Sequence, residues 1–445
     1  MFKTLMLVLL AGASAQAADY KLLYSPPDNS HVGYLHGVIE QAPDVFYVLG
    51  TWDSNTFGPS IVSVSAAGDF QRIHSFPPGT QMVNFVQAPD GKIYGPGYKS
   101  AANTYFYYSI DPSGANYQER AMPAPWGSGW NTVVTPADGL YDLAGRVVNG
   151  VSIAAFVHIP ESGDIKVLHE FTAAEGFPNG SSHLVYGPDG NFYGIGNLKH
   201  DGISPGFIYR LTPAGDYSRL VAFPEFPSYD SLPLIAASDG HLYGTFAKGG
   251  ANNTGEIYQV ALNGQLRTVA SFPAAGMSNP WTLMQAADGN LYGTTGNSQV
   301  FRYNMSTHAL TMVYQLNPGG SQGHCACILL EGSDGKLYGL APNGGNYPGV
   351  GALFSLDIGL PEPPPTVSGL YSANGPAGSK VLLWGNYLLG AKSVEFNGKP
   401  ATAISVTSGQ SVWATVPPGA TSGPVKITTA NGSFTAGNFT VAKSR

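Results

Sequence analysis

The side chains that could do chemistry in this sequence are dispersed along it. The densest group is His324-Cys325-Ala326-Cys327, two thiols and an imidazole in adjoining positions. Such a set could hold copper or zinc, but the spacing departs from the usual C-x₂-C zinc pattern. A Cys325–Cys327 disulfide would close a small strained ring, which an oxidising compartment favours. The disulfide ranks first, free buried thiols second and a metal last, so no metal and no cofactor is expected. His31, His36, His183, His200 and His324 could supply, with Tyr, Asp or Glu, the acid–base set of a polysaccharide lyase or hydrolase. Loop histidines also serve simply as hydrogen-bonding residues. No G-x-S-x-G, H-E-x-x-H or P-loop pattern occurs.

A different chemistry follows from rings that stand beside amides. Trp126 and Trp130 precede Asn131, Asn279 precedes Trp281, and Trp52 precedes Asn55. Flat rings offer apolar faces to sugar C–H groups, and amides pair with hydroxyls. Trp52, Trp126, Trp130, His183, Tyr229, Trp281 and His324 are therefore the candidate ligand-binding residues, for a carbohydrate or a cell-surface partner. The same rings would also serve to wedge neighbouring elements together.

What must position these residues is a repeat. The pattern Asp-Gly-x-apolar-Tyr-Gly begins at Asp90, Asp189, Asp239, Asp288 and Asp334, with degenerate copies at Asp138 and Asp44. Successive aspartates stand 46 to 51 residues apart, which makes seven repeats. Each contains four short alternating runs. In one copy these are Leu232–Ala237, His241–Thr245, Glu256–Leu262 and Leu266–Phe272, with turns at Asp239-Gly240 and Asn263-Gly264. Four-stranded units of this period are the blades of a β-propeller. The last repeat lacks its outer strand, and Tyr20–Tyr24 at the start of the chain can supply it, closing a seven-bladed ring. The Asp-Gly pairs could be calcium ligands, but a turn role is expected, because glycine supplies the positive φ that such hairpins need. Tyr94, Tyr193, Tyr243, Tyr292 and Tyr338 are expected to fill one equivalent core position. Function should then lie where the repeats differ, on the face formed by the loops after the second and fourth strands. The candidate rings fall in those loops, as do Tyr98, Asn103, Asn197 and Asn252.

The chain opens with Lys3, an apolar run from Leu5 to Ala13, and Ala15-Gln16-Ala17, the form of a secretory signal peptide over residues 1–17. A secreted or periplasmic location is expected, with no integral membrane segment in the mature chain. Charged residues are 11% of the chain and the net charge is −7. That balance, without a basic cluster, excludes general nucleic-acid binding. With two cysteines in all, stability must come from the core.

The repeat resembles the bacterial "GloVer-like" tandem-repeat propeller family, on the Asp288-Gly-Asn-Leu-Tyr-Gly-Thr segment, Gly249-Gly250-Ala251-Asn252 and Leu211-Thr212-Pro213-Ala214-Gly215. The resemblance covers most of residues 20–358 and implies export and a propeller, with no particular activity. After the proline-rich linker at 359–365, runs at Val381–Trp384, Ser393–Phe396, Ser411–Val416, Val425–Thr428 and Phe439–Val441 alternate with turn signals. This segment looks like an IPT/TIG domain, on Gly375-Pro376-Ala377-Gly378, Trp384-Gly385-Asn386-Tyr387 and Val416-Pro417-Pro418-Gly419. The resemblance implies a spacer or docking role. The expected fold is all-β: a seven-bladed β-propeller over 18–358, then an immunoglobulin-like β-sandwich over 366–445. The expected function is that of an exported, non-enzymatic binding protein. A secreted polysaccharide-active lyase or hydrolase using the same face is the alternative.

Overall fold

A computed structural model describes residues 18–26, 35–50, 58–127, 129, 132–136, 139–148, 151–178, 184–197, 206–223, 234–317, 328–341, 344–345 and 351–442, and the statements below concern these. Residues 1–17, expected from the sequence to be a signal peptide, and Asp138 lie outside them. The described residues form strands and turns, and no helix is long and apolar enough to cross a membrane.

Seven antiparallel sheets of four or five strands follow one another through residues 19–357. The fifth sheet is representative, with strands Leu234–Ala236, Leu242–Phe246, Glu256–Val260 and Leu266–Ser271 in that spatial order. The seventh comprises Ile328–Glu331, Leu337–Ala341 and Ala352–Asp357, and its outer strand is Asp19–Tyr24 from the start of the chain. Tyr20 stands opposite Leu356 and Leu22 opposite Phe354, the pairing expected from the sequence.

The repeat motif builds the turn between first and second strands. Gly240 adopts φ 81°, which lets the chain reverse. Asp239 Oδ1 accepts the His241 N–H at 3.1 Å, and Oδ2 accepts the Tyr243 hydroxyl at 2.7 Å. The same Asp–Tyr bond occurs at Asp90–Tyr94, Asp189–Tyr193, Asp288–Tyr292 and Asp334–Tyr338, over 2.6 to 2.9 Å. Each aspartate thus fastens its turn to a tyrosine ring that is itself buried. The carboxylates are turn residues.

Behind each tyrosine the next glycine lets two strands and an aromatic ring close up. A Cβ at Gly244 would lie 2.2 Å from the Tyr258 hydroxyl oxygen, and one at Gly339 would lie 2.3 Å from Phe354. Tyr108, Tyr209 and Phe301 sit over Gly95, Gly194 and Gly293 in the same manner. The third sheet reverses the arrangement: Asp142 replaces the glycine and the smaller Val157 faces it.

One apolar cluster lies between each pair of neighbouring sheets. The cluster containing Leu35, Phe46, Tyr338 and Leu353 joins the first sheet to the seventh. Burial of each such side chain stabilises the fold by about 1.5–3 kcal/mol.

Residues 366–441 form a separate pair of sheets around Val381, Leu383, Phe396, Val412, Ile427 and Phe439. The strands at Thr366–Tyr371 and Ala403–Ser408 were not legible in the sequence, and the last strand, Gly432–Val441, is longer than expected. All three alternate weakly because much of their length is solvent-exposed or half-buried.

Candidate functional site

Because strands within a sheet alternate in direction, the turns after the first and third strands share one face. The connections after the second and fourth share the other. Among the candidate ligand residues, Trp52, Trp130, His183, Tyr229 and His324 lie outside the described residues, as do Cys325 and Cys327. Trp126 is 7% exposed and packs with Leu140 and Ala155 between the second and third sheets. The Arg146 guanidinium stacks 4.4 Å from its ring centre. The ring is therefore committed to packing contacts within the wall. Trp281 is half-buried, its backbone N–H donating to the Thr294 carbonyl at 2.7 Å.

A pair of rings that the sequence did not single out as a pair stands on the same face. Tyr98 and Tyr105 flank the connection after the second strand of the second sheet, ring centres 4.6 Å apart and tilted by 36°. Tyr105 is 38% exposed. The Tyr98 hydroxyl donates to Asn103 Oδ1 at 3.1 Å, and Asn103 itself takes φ 49°. The only sequence signal was Tyr98 and Asn103 in a loop; Tyr105 read as an ordinary strand residue.

The opposite face carries the C-terminal pair of sheets. Trp413 Nε1 donates to the Pro89 carbonyl at 2.8 Å, and Asn431 Nδ2 donates to the Ser333 carbonyl at 2.8 Å. The Tyr387 hydroxyl donates to Glu331, and the Thr407 methyl packs over Gly91. Pro89, Gly91 and Ser333 all belong to turns between first and second strands. Between this unit and the inner strands of six of the seven sheets lies a cavity of about 680 Å³, bordered by Glu40, Gln87, Gln285, Glu331, Trp384 and Tyr387, among others.

Around this cavity a second repeated bond links neighbouring sheets. Gln285 Oε1 accepts the Ser238 N–H at 2.8 Å, and Glu331 Oε2 accepts the Ala287 N–H at 2.7 Å. Glu40 accepts the Ser333 N–H at 2.9 Å and the Ser333 hydroxyl at 2.6 Å. In each case an inner strand of one sheet grips the turn of the sheet before it, and Glu40 joins the first sheet to the last. Burial pushes the Glu40 carboxyl up to about 7, with the neighbouring Asp334 adding to the rise and the Ser333 bonds opposing it. Burial likewise raises Glu331, against the Tyr387 and Ala287 donors, while Asp288 and Asp334 add to it. Burial and the Glu331 charge raise Tyr387 in turn. These carboxylates escaped the sequence reading. The signal present was a polar residue three positions before the motif aspartate, as at Gln87, Gln285 and Glu331, in an otherwise apolar strand.

Asp142 is fully buried and accepts the Tyr107 hydroxyl at 2.6 Å and the Thr132 hydroxyl at 2.9 Å, tying the second sheet to the third. Among the described residues no three or more His, Cys, Asp or Glu side chains gather as a metal site would require. His31, His183, His200 and His324 lie outside that set.

Comparison with known proteins agrees with this architecture at the level of fold. The sequence profile described as the Gloeobacter/Verrucomicrobia repeat matches residues 203–381, from within the fourth repeat into the C-terminal unit. No curated protein matches the chain in sequence. Solved β-propeller structures do match in shape. A puromycin hydrolase mutant complexed with PGG superposes with a TM-score of 0.52 and 13% identity, over 83% of this chain and 62% of the hydrolase. The chain thus spans less than two thirds of that protein. An oligogalacturonate lyase in complex with manganese gives 0.51 and 13%, over 78% of this chain and 97% of the lyase. YCF48 bound to D1 peptide gives 0.50 and 11%, over 77% of this chain and 97% of YCF48. Two of these are enzymes and one is bound to a peptide, so the likeness carries the fold and leaves the activity open.

Proposed function

We propose that the chain is an exported binding protein. In this reading residues 18–358 form a seven-bladed propeller and residues 366–445 an immunoglobulin-like sandwich of the IPT/TIG type. The rim of the propeller takes a polysaccharide or a cell-surface partner. One observation carries the reading. The Tyr98–Tyr105 pair, with Asn103 beside it, stands on the loop face, while the C-terminal unit covers the opposite face. A tilted, part-exposed pair of rings beside an amide suits the apolar face and hydroxyl edge of a sugar. The seven sheets, their apolar clusters and the pairing of Asp19–Tyr24 with Ala352–Asp357 support the propeller. The apolar run before Ala17 supports export. A polysaccharide-active enzyme would use the same face, and the same ligand screen would supply its substrate.

A glycan array probed with the mature chain and with Tyr105→Ala and Trp281→Ala tests this. Binding to a defined polysaccharide, weakened at least tenfold in either folded variant, is the expected result. Binding to no glycan removes the carbohydrate reading and turns the search to protein partners. Trp126→Ala belongs beside these as a stability control, because its ring is packed inside the wall.

A further inference from the structure

The cavity beneath the C-terminal unit carries an inference independent of the rim. One position of the repeat builds much of its lining. Val86, Val134, Met284 and Leu330 each stand four residues before a motif aspartate, and all four line the cavity half-buried. Ile39 continues the lining in the first sheet, and Trp384 and Leu389 of the C-terminal unit face them.

The polar groups at the border are engaged by the chain itself. The Gln87 and Gln285 amides donate to the Gly91 and Gly289 carbonyls at 3.1 and 3.0 Å. The Thr132 hydroxyl donates to Asp142, and the Ser408 hydroxyl bonds with that of Ser411. Glu40 is held by Ser333 and Asp44, and Glu331 Oε2 by Ala287 and Tyr387. The other Glu331 oxygen has almost no accessible surface. What the cavity presents is therefore mainly hydrocarbon and ring. Asn386 and Gln410, both exposed, mark where it meets solvent.

We propose that this cavity binds an uncharged, mainly hydrocarbon molecule, a medium-chain alcohol or its ester, with the chain along Val86, Val134, Met284 and Leu330 and the polar end at Asn386 and Gln410. A ligand with polar groups along its length would bury them without partners, which is costly. A hydrocarbon chain with one polar end meets no such cost. A fatty carboxylate is disfavoured, because no Lys, Arg or His stands among the described lining residues and Glu40 and Glu331 lie at the border. The volume, about 680 Å³, falls within the range of small-molecule sites, roughly 300–1,000 Å³.

Titration of residues 18–445 with N-phenyl-1-naphthylamine, whose emission rises in apolar surroundings, tests the site, followed by displacement with 1-decanol and with decanoate. Saturable binding of one probe per chain is expected, with decanol displacing it at a concentration at least tenfold below that of decanoate. Val134→Trp, which fills the cavity, and Trp384→Gln, which makes its lining polar, should each lower probe affinity at least tenfold. Hydrogen–deuterium exchange of the unaltered chain with decanol locates the site without a variant: exchange should slow at 384–389 and 408–410. Absence of saturable probe binding, equal displacement by decanoate, unchanged affinity in a folded variant, or slowed exchange confined to other segments would overturn the proposal.

Discussion

Glu40 sets a carboxyl group at the join between the first and last sheets, where three donors reach it and water largely does not. Burial outweighs those donors, so its pKa in the folded chain is about 7 against 4.5 for an unperturbed glutamate. The sign follows from linkage. The folded state binds the proton more tightly than the unfolded one, so the contribution of this group is complete below about pH 4.5 and is lost as pH rises through 7. Glu40→Gln mimics the neutral form and keeps the acceptor. The melting temperature of the wild type relative to Glu40→Gln should therefore fall between pH 5 and pH 8.5 in scanning calorimetry. A constant difference across that range would mean that Glu40 is ionised throughout. The sequence disclosed the aspartates as turn residues and the tyrosines as core, but not the bond between them, Asp239 to Tyr243 for example. That bond depends on the strand leaving the turn with the tyrosine on the carboxylate's side, a consequence of backbone path. Glu331 and Glu40 were less legible still, since a lone acid in an apolar strand reads the same whether it faces solvent or a neighbouring sheet.

The strands owe their close packing to small residues opposite large ones. Gly244 opposite Tyr258 and Gly339 opposite Phe354 leave no room for a methyl group. Gly244→Ala should therefore destabilise the fold by about 1–3 kcal/mol through overpacking. Adding Tyr258→Val, which reproduces the Asp142–Val157 arrangement of the third sheet, should recover part of that loss in denaturant unfolding; additive losses would show that the two positions do not share the space. In the first, third, fourth, fifth and sixth sheets a register shift falls at this point between third and fourth strands, as at Ile257/Tyr258. Such bulges raise the local twist of the outer strand. Strand positions such as Glu256–Val260 were legible because both ends carry turn signals. The bulges were not, because one extra residue leaves the apolar alternation on the partner strand intact. The same holds for Ala403–Ser408, most of which is exposed or half-buried and gives no clear period to read.

One face of the molecule carries the C-terminal unit, and the other carries the connections after the second and fourth strands. The repeat and the outer strand supplied from Asp19–Tyr24 were readable from spacing alone, because each sheet repeats the same turn chemistry. The seating of the C-terminal unit was not readable. It rests on single contacts across long sequence separations, Trp413 to Pro89 and Asn431 to Ser333, that no local pattern encodes. Trp413→Ala should loosen that seating and split one thermal transition into two, with the lower one belonging to residues 366–441; a single unsplit transition would place the coupling elsewhere. The proposed reading of the two faces is tested most directly by hydrogen–deuterium exchange of residues 18–445 with and without the polysaccharide selected on the array. Slowed exchange at 98–105 and 279–282, with 331–334, 384–389 and 408–413 unchanged, is the expected result. Slowed exchange in the C-terminal unit, with the loop face unaffected, would contradict it.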